Sequence, residues 1–138
     1  MTIKEISAIA AILAEWFPQA FVAEKHRPHR PLKIGVHLDL QQRCPALTGI
    51  ERRIVLQNYA SRVLYLQSLV AGASRVDLDG APAGTVTAEE ANRAAAQLAA
   101  LIAARAAKQA AAVQEYDRER DPRRRGDRHQ RAEAGRTP

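Results

Sequence analysis

The sequence predicts a mainly α fold with one small β-hairpin, an α+β domain followed by a basic tail. Three Thr-X-X-Glu patterns, at Thr2 to Glu5, Thr48 to Glu51 and Thr87 to Glu90, predict helix starts. In each, the Thr oxygen can accept an orphan backbone N–H while the Glu reaches back to the cap N–H. Between the second and third patterns, Ser74 to Leu78 and Thr85 to Val86 read as two short strands joined through Asp79, Gly80, Pro82 and Gly84. Length agrees, because 138 residues suffice for one core that folds alone, with a tail to spare.

The first helix runs from Thr2 to about Phe17, where Pro18 stops it. Ile6, Ile9, Ala10, Leu13 and Phe17 recur at helical spacing and form the expected core face. Prolines and charges in residues 19 to 31 predict an exposed loop. A short helix from about Lys33 to Arg43 ends before Pro45. After Thr48, Val55, Tyr59, Val63, Leu66 and Val70 make one apolar stripe closed by Gly72; residues 59 to 61 are where that helix could break. The hairpin is too small to stand alone and must lie against the helices. The last helix starts after Thr87 and is rich in alanine. Leu98, Leu101 and Ile102 are placed to pack, but beyond Arg105 only Val113 is a large aliphatic, so its far end is expected to project into solvent and fray. Residues 116–138 are rich in arginine and poor in apolar side chains, a composition expected to stay disordered. The expected organisation is thus a domain over 1–115 and a tail over 116–138.

A formal charge of +6 and a pI near 10.1 point to a polyanionic partner, nucleic acid first and an anionic membrane surface second. Residues 22–75 hold nine basic groups against three acidic ones, whereas 87–115 hold three of each, so the positive field centres on the second and third helices. The tail adds eight arginines against five acids. Cys44 is the single cysteine, which excludes an intramolecular disulfide and suits a reducing compartment. With no run of about 18 apolar residues and no basic stretch leading into an apolar core, neither a membrane span nor a signal peptide is expected, and the protein is expected to be cytoplasmic. His26 and His29 lack partners at zinc spacing. Asp77 and Asp79 lack the downstream Glu of a calcium loop and suit turn and ion-pair roles instead. His37 and Asp39 have no nucleophile motif beside them. No catalytic constellation, metal site or cofactor is implied.

Four residues apart on one helical stripe stand Arg53, Gln57, Ser61 and Tyr65, flanked by Arg52 and Arg62. Guanidinium groups can hold phosphate bidentately and a tyrosine ring can meet an unstacked base, which suits a single-stranded RNA end. A solvated helix face with one half-buried tyrosine is the plainer alternative. Lys33 lies at the expected helix start, where backbone amides favour an anion. Asp39 either accepts a hydrogen bond from a ribose hydroxyl, or pairs with Arg75 or caps the site. Strand alternation puts Arg75, Asp77 and Asp79 on one face and Val76 and Leu78 on the other.

Taken in order, Trp16-Phe17-Pro18, Pro31-Leu32-Lys33-Ile34-Gly35-Val36, Asp39-Leu40, Tyr59, Tyr65-Leu66, Arg75-Val76-Asp77-Leu78-Asp79-Gly80 and Thr87-Ala88-Glu89-Glu90 resemble the ProQ/FinO family of bacterial RNA-binding proteins. The resemblance covers most of the first hundred residues and leaves the tail outside. It implies a compact FinO-like domain and an RNA chaperone, not an enzyme. Such a protein binds structured RNAs at the base of a terminator hairpin and its single-stranded 3′ end, and promotes pairing of small or antisense RNAs with their targets. It also implies RNA-binding roles for Arg53, Tyr65 and Arg75, and a pocket for the RNA 3′ end lined by the Pro31 to Gly35 element, with Lys33 near phosphate. The chain departs where relatives carry an aromatic near Val36-His37 and a second arginine at Gln57, a loss that Arg52 and Arg62 could offset. Two rivals are weaker. A DNA-binding regulator would want a helix-turn-helix partner before the Arg53 helix, and a protein-interaction adaptor docking through the last helix would want heptad leucines. A monomer is expected.

Overall fold

The computed structural model describes residues 1–121. The chain divides within its last helix into a unit Met1–Leu98 and a second unit from Ala99 onward. In order, the elements are α1 (Ile3–Trp16), α2 (Val36–Arg43), α3 (Gly49–Ala60), α4 (Val63–Ser68), β1 (Ser74–Val76), β2 (Pro82–Thr85) and α5 (Ala88–Arg120). All three capping boxes form with both reciprocal bonds, Thr2 with Glu5, Thr48 with Glu51 and Thr87 with Glu90. Each such cap contributes about 1 kcal/mol to its helix.

In the first unit, α1 and α2 pack on α3. The face expected on α1 is the one buried: Ala10, Leu13 and Phe17 enter the core, with Ile6 and Ile9 packed against it. Leu40 from α2, Val55 and Tyr59 from α3, and Val76 and Leu78 from the hairpin complete the centre. The strands pair antiparallel with an irregularity between Ser74 and Val76, and the segment before α2 adds to the free edge through a parallel bridge of Leu32 with Val76. Gly80 turns the hairpin at φ 83°, and a Cβ there would stand 2.6 Å from Gln19 Cβ. Only glycine meets both constraints.

Several boundaries differ from the sequence expectation, each for a visible reason. α2 begins at Val36, not Lys33, because the Lys33 N–H is committed to Val76 O at 2.8 Å and Gly35, at φ 87°, must then turn the chain into the helix. The helix expected from Thr48 to Val70 is two helices. Ser61 Oγ donates to Gln57 O at 2.8 Å and Arg62 is extended at ψ 141°, so the axis turns there. Val70 consequently falls outside α4 and is exposed. The strands are Ser74–Val76 and Pro82–Thr85, so β1 is shorter and β2 starts earlier than expected. Residues 19 to 31 are only in part the exposed loop expected: residues 23–28 are exposed, but Ala20, Phe21 and His29 are buried.

In the second unit, α5 continues as a helix whose side chains beyond Leu101 are exposed, Ile102 included. It passes the expected boundary at Glu115 and ends at Arg120, supported by the Glu115–Arg118 and Tyr116–Arg120 contacts one turn apart. The remainder of the expected disordered tail, residues 122–138, lies outside the described residues.

Candidate nucleic-acid interface

Two tyrosines and two arginines hold the long connection between α1 and α2 by the same device. Tyr59 Oη accepts the Val22 N–H at 2.9 Å while Arg62 Nη1 donates to Val22 O at 2.8 Å. Tyr65 Oη accepts the Leu32 N–H at 3.2 Å while Arg75 Nη1 donates to Leu32 O at 2.8 Å. Each Tyr/Arg pair thus satisfies both backbone groups of one peptide residue, which no helix or sheet ladder would otherwise serve. The tyrosine rings meet edge to face at 5.6 Å, and Arg62 lies 4.7 Å over the Tyr59 ring. Burial pushes the Tyr59 hydroxyl up to about 12, so it stays protonated.

His29 joins the first of these clips. Its Nε2 lies 3.3 Å from Arg62 Nη1 and its Nδ1 2.6 Å from Arg27 O. Arginine can only donate, so Nε2 is the acceptor and Nδ1 carries the proton. Burial lowers the His29 pKa, with the Arg62 charge pulling the same way.

Two basic grooves open on the surface of the first unit. Between α2 and α3, a groove of about 410 Å³ is lined by His37, Gly49, Arg52, Arg53, Leu56 and Gln57. Among the described residues, neither Arg52 nor Arg53 has a carboxylate partner or a side-chain hydrogen bond. Between α4 and the start of α5, a groove of about 300 Å³ is lined by Tyr65, Leu69, Arg75, Glu90, Arg93 and Gln97, among others. Here Arg75 Nη2 pairs with Glu90 Oε2 at 2.8 Å, and the Thr87 backbone N–H, more than Arg75, holds the Glu90 carboxyl below the usual carboxylate range. A smaller hollow of about 130 Å³ is lined by Asp39, Gln42, Arg43, Asp77, Leu78 and Asp79, where three carboxylates against one guanidinium repel phosphate.

The stripe read from the sequence does not survive the break at Ser61. Arg53 and Gln57 share the α2–α3 groove with Arg52, but Tyr65 sits on α4 and is only 6 % exposed, its hydroxyl spent on Leu32. Arg62 is a buried clip, not a flanking surface charge. Lys33 precedes the helix, and its ammonium pairs with Asp39 Oδ2 at 3.0 Å; the acid does not reach Arg75. Arg75 and Val76 are both buried, so strict alternation also fails. The turn and ion-pair roles of the hairpin acids hold: Asp77 Oδ1 accepts the Asp79 and Ala81 N–H groups, and Asp79 pairs with Arg43 at 2.8 Å. Sequence reasoning missed His37, Arg93 and Gln97 as groove residues. For the last two a signal existed, because they follow Glu90 at helical spacings of three and seven.

The ProQ/FINO family model matches residues 3–116. The chain belongs to the ProQ/FinO family. Among family relatives, the RNA chaperone ProQ of Shewanella oneidensis is 40% identical over 99 residues, 70% of this chain and 46% of that protein. The RNA chaperone ProQ of Aliivibrio fischeri is 40% identical over 93 residues, 65% of this chain and 44% of its own length. The chain therefore spans less than half the length of these relatives. The solution structure of a ProQ homolog from Legionella pneumophila superimposes with a TM-score of 0.61 at 29% identity, over 71% of this chain and 84% of that one. A FinO-like RNA chaperone from Neisseria meningitidis superimposes with a TM-score of 0.55 at 29% identity, over 67% and 93%. The mainly α fold with one two-stranded sheet is thus the fold of the family.

Proposed function

We propose that this domain is an RNA chaperone that binds structured RNA, gripping the base of a terminator-type hairpin and its single-stranded 3′ end and promoting the pairing of small or antisense RNAs with their targets. The observation that carries this reading is the contrast between spent and unspent arginines. Arg62 and Arg75 are buried and hydrogen-bonded within the fold, whereas Arg52 and Arg53 line an open groove without a carboxylate partner among the described residues. Unpaired guanidinium groups on a rigid helix suit a phosphate backbone, which A-form RNA presents in place of readable base edges. Gln57 and His37 in the same groove add hydrogen-bonding groups for ribose and phosphate. The Lys33–Asp39 pair beside the turn at Gly35 is assigned to the 3′ terminus, the ammonium meeting phosphate and the carboxylate accepting from a terminal ribose hydroxyl. No helix among the described residues is long and apolar enough to cross a membrane.

The test compares three RNAs: a hairpin with a single-stranded uridine tail, the same hairpin with the tail removed, and the tailed hairpin phosphorylated at its 3′ hydroxyl, each titrated with duplex DNA as competitor. The tailed hairpin should bind most tightly. Phosphorylation adds negative charge, so nonspecific attraction to a basic protein would hold or rise, whereas a site built on Asp39 should lose affinity. Equal binding of all three RNAs would remove the 3′-end assignment, and equal competition by duplex DNA would remove RNA preference itself.

A further inference from the structure

The α4–α5 groove contains a cation that cannot meet a ligand as it stands. Arg75 is 7 % exposed; Nη1 is committed to Leu32 O, Nη2 to Glu90 Oε2, and Nε is buried without an acceptor. Glu90 is differently placed. Its side chain keeps 21 % exposure, faces the groove with Arg93 and Gln97, and is anchored independently through Oε1 to the Thr87 N–H at 3.0 Å. The carboxylate can therefore release Arg75 by a small rotation without surrendering the helix cap.

Resting on the reading that this domain binds structured RNA, we propose that the α4–α5 groove also meets RNA phosphate, and that Glu90 is a resident counter-ion that the phosphate must displace from Arg75, setting the threshold for productive binding. The exchange is between like ligands, because carboxylate and phosphate both accept from the guanidinium. What decides it is the rest of the groove. Glu90 offers one carboxylate contact, while an RNA strand brings several phosphates and can engage Arg93, which lines the same groove, together with Arg75. An isolated anion lacks that support and does not open the pair. Acid does not open it either near neutral pH, since the Thr87 N–H lowers the Glu90 pKa from its ordinary carboxylate value. The device thus favours long, multiply anchored RNA over small anions.

Glu90→Gln is the direct test, because glutamine retains an oxygen for the Thr87 N–H and puts an NH2, which cannot accept from Arg75, where Oε2 competes for it. With the full chain and a hairpin RNA bearing a single-stranded uridine tail, Glu90→Gln should bind about 3- to 5-fold more tightly, the scale of one partly exposed ion pair. Glu89→Gln controls for net charge: it removes the same charge from an exposed neighbour on α5 and should shift affinity less than half as much. In an Arg75→Lys background, which keeps a donor for Leu32 O, the gain from Glu90→Gln should shrink markedly. Unchanged or weaker binding by Glu90→Gln overturns the proposal, as does an equal gain from Glu89→Gln. If instead Arg93→Ala and Arg75→Lys both bind like the parent chain, the α4–α5 groove is not an RNA site and this proposal falls, while the reading carried by Arg52 and Arg53 is decided by its own RNA comparison.

Discussion

At the scale of single residues, burial separates arginines that look alike in sequence. Arg53 and Arg62 belong to the same basic run, yet one is exposed in a groove and the other is buried beneath Val22 and Ala23 with its Nε unpartnered. Removing a buried charge-assisted donor leaves carbonyls unsatisfied, and losing one such interaction costs about 1.5 to 3 kcal/mol. Arg62→Ala should therefore lower the urea midpoint by that order, with its RNA affinity falling only as folded protein is lost. Arg53→Ala should leave the midpoint within about 0.5 kcal/mol of the parent but weaken RNA binding across sequences and reduce the salt slope by about 1. Paired denaturation and binding titrations decide, and the assignment fails for either residue whose two effects are exchanged. The sequence supplied the charge of both side chains. It did not supply their burial, because that depends on where the 19 to 31 connection docks, and no periodicity in the connection reports that.

At the scale of elements, the three capped helix starts were legible, whereas the start of α2 and the break between α3 and α4 were not. Each Thr-X-X-Glu pattern is a closed local device whose bonds need nothing from the rest of the fold, and all three formed. The break at Ser61 and the late start of α2 both depend on distant partners: Arg62 turns away to reach Val22, and Lys33 is drawn into pairing with Val76. The connection held by these contacts should report on pH. Folding depresses the His29 pKa by burial, so the unfolded chain takes up a proton first as pH falls. Stability from this site is complete above about 6.5 and declines as pH drops below that value toward the lower folded pKa. The caps of Glu51 and Glu90 have lowered pKa values and lose their contribution only in the acid range below 4.5, so the two windows separate. Urea midpoints measured from pH 7.5 to 5.0 should fall for the parent chain and flatten for His29→Gln; a parallel fall in both would assign the slope elsewhere.

At the scale of the whole molecule, the basic excess is divided between folded grooves and the segment beyond them, and the two shares should act differently. The family match ends at residue 116 and the grooves lie within Met1–Leu98, whereas residues 122–138 hold six arginines against two acids. Groove arginines are fixed on helices at set spacings and can prefer one RNA shape over another. Arginines that act through charge alone add affinity that scales with counter-ion release and discriminates little. Ending the chain after Asp121 should therefore preserve the ranking of tailed hairpin, blunt hairpin and duplex DNA while weakening all three and flattening the dependence of log affinity on log salt. The loss of affinity should be larger at low salt, where long-range attraction is least screened. Loss of the ranking with an unchanged salt slope would place recognition in residues 122–138 and return the grooves to a structural role. A retained ranking, with Glu90→Gln still tightening the truncated chain, would locate both the recognition and its threshold in the helical domain.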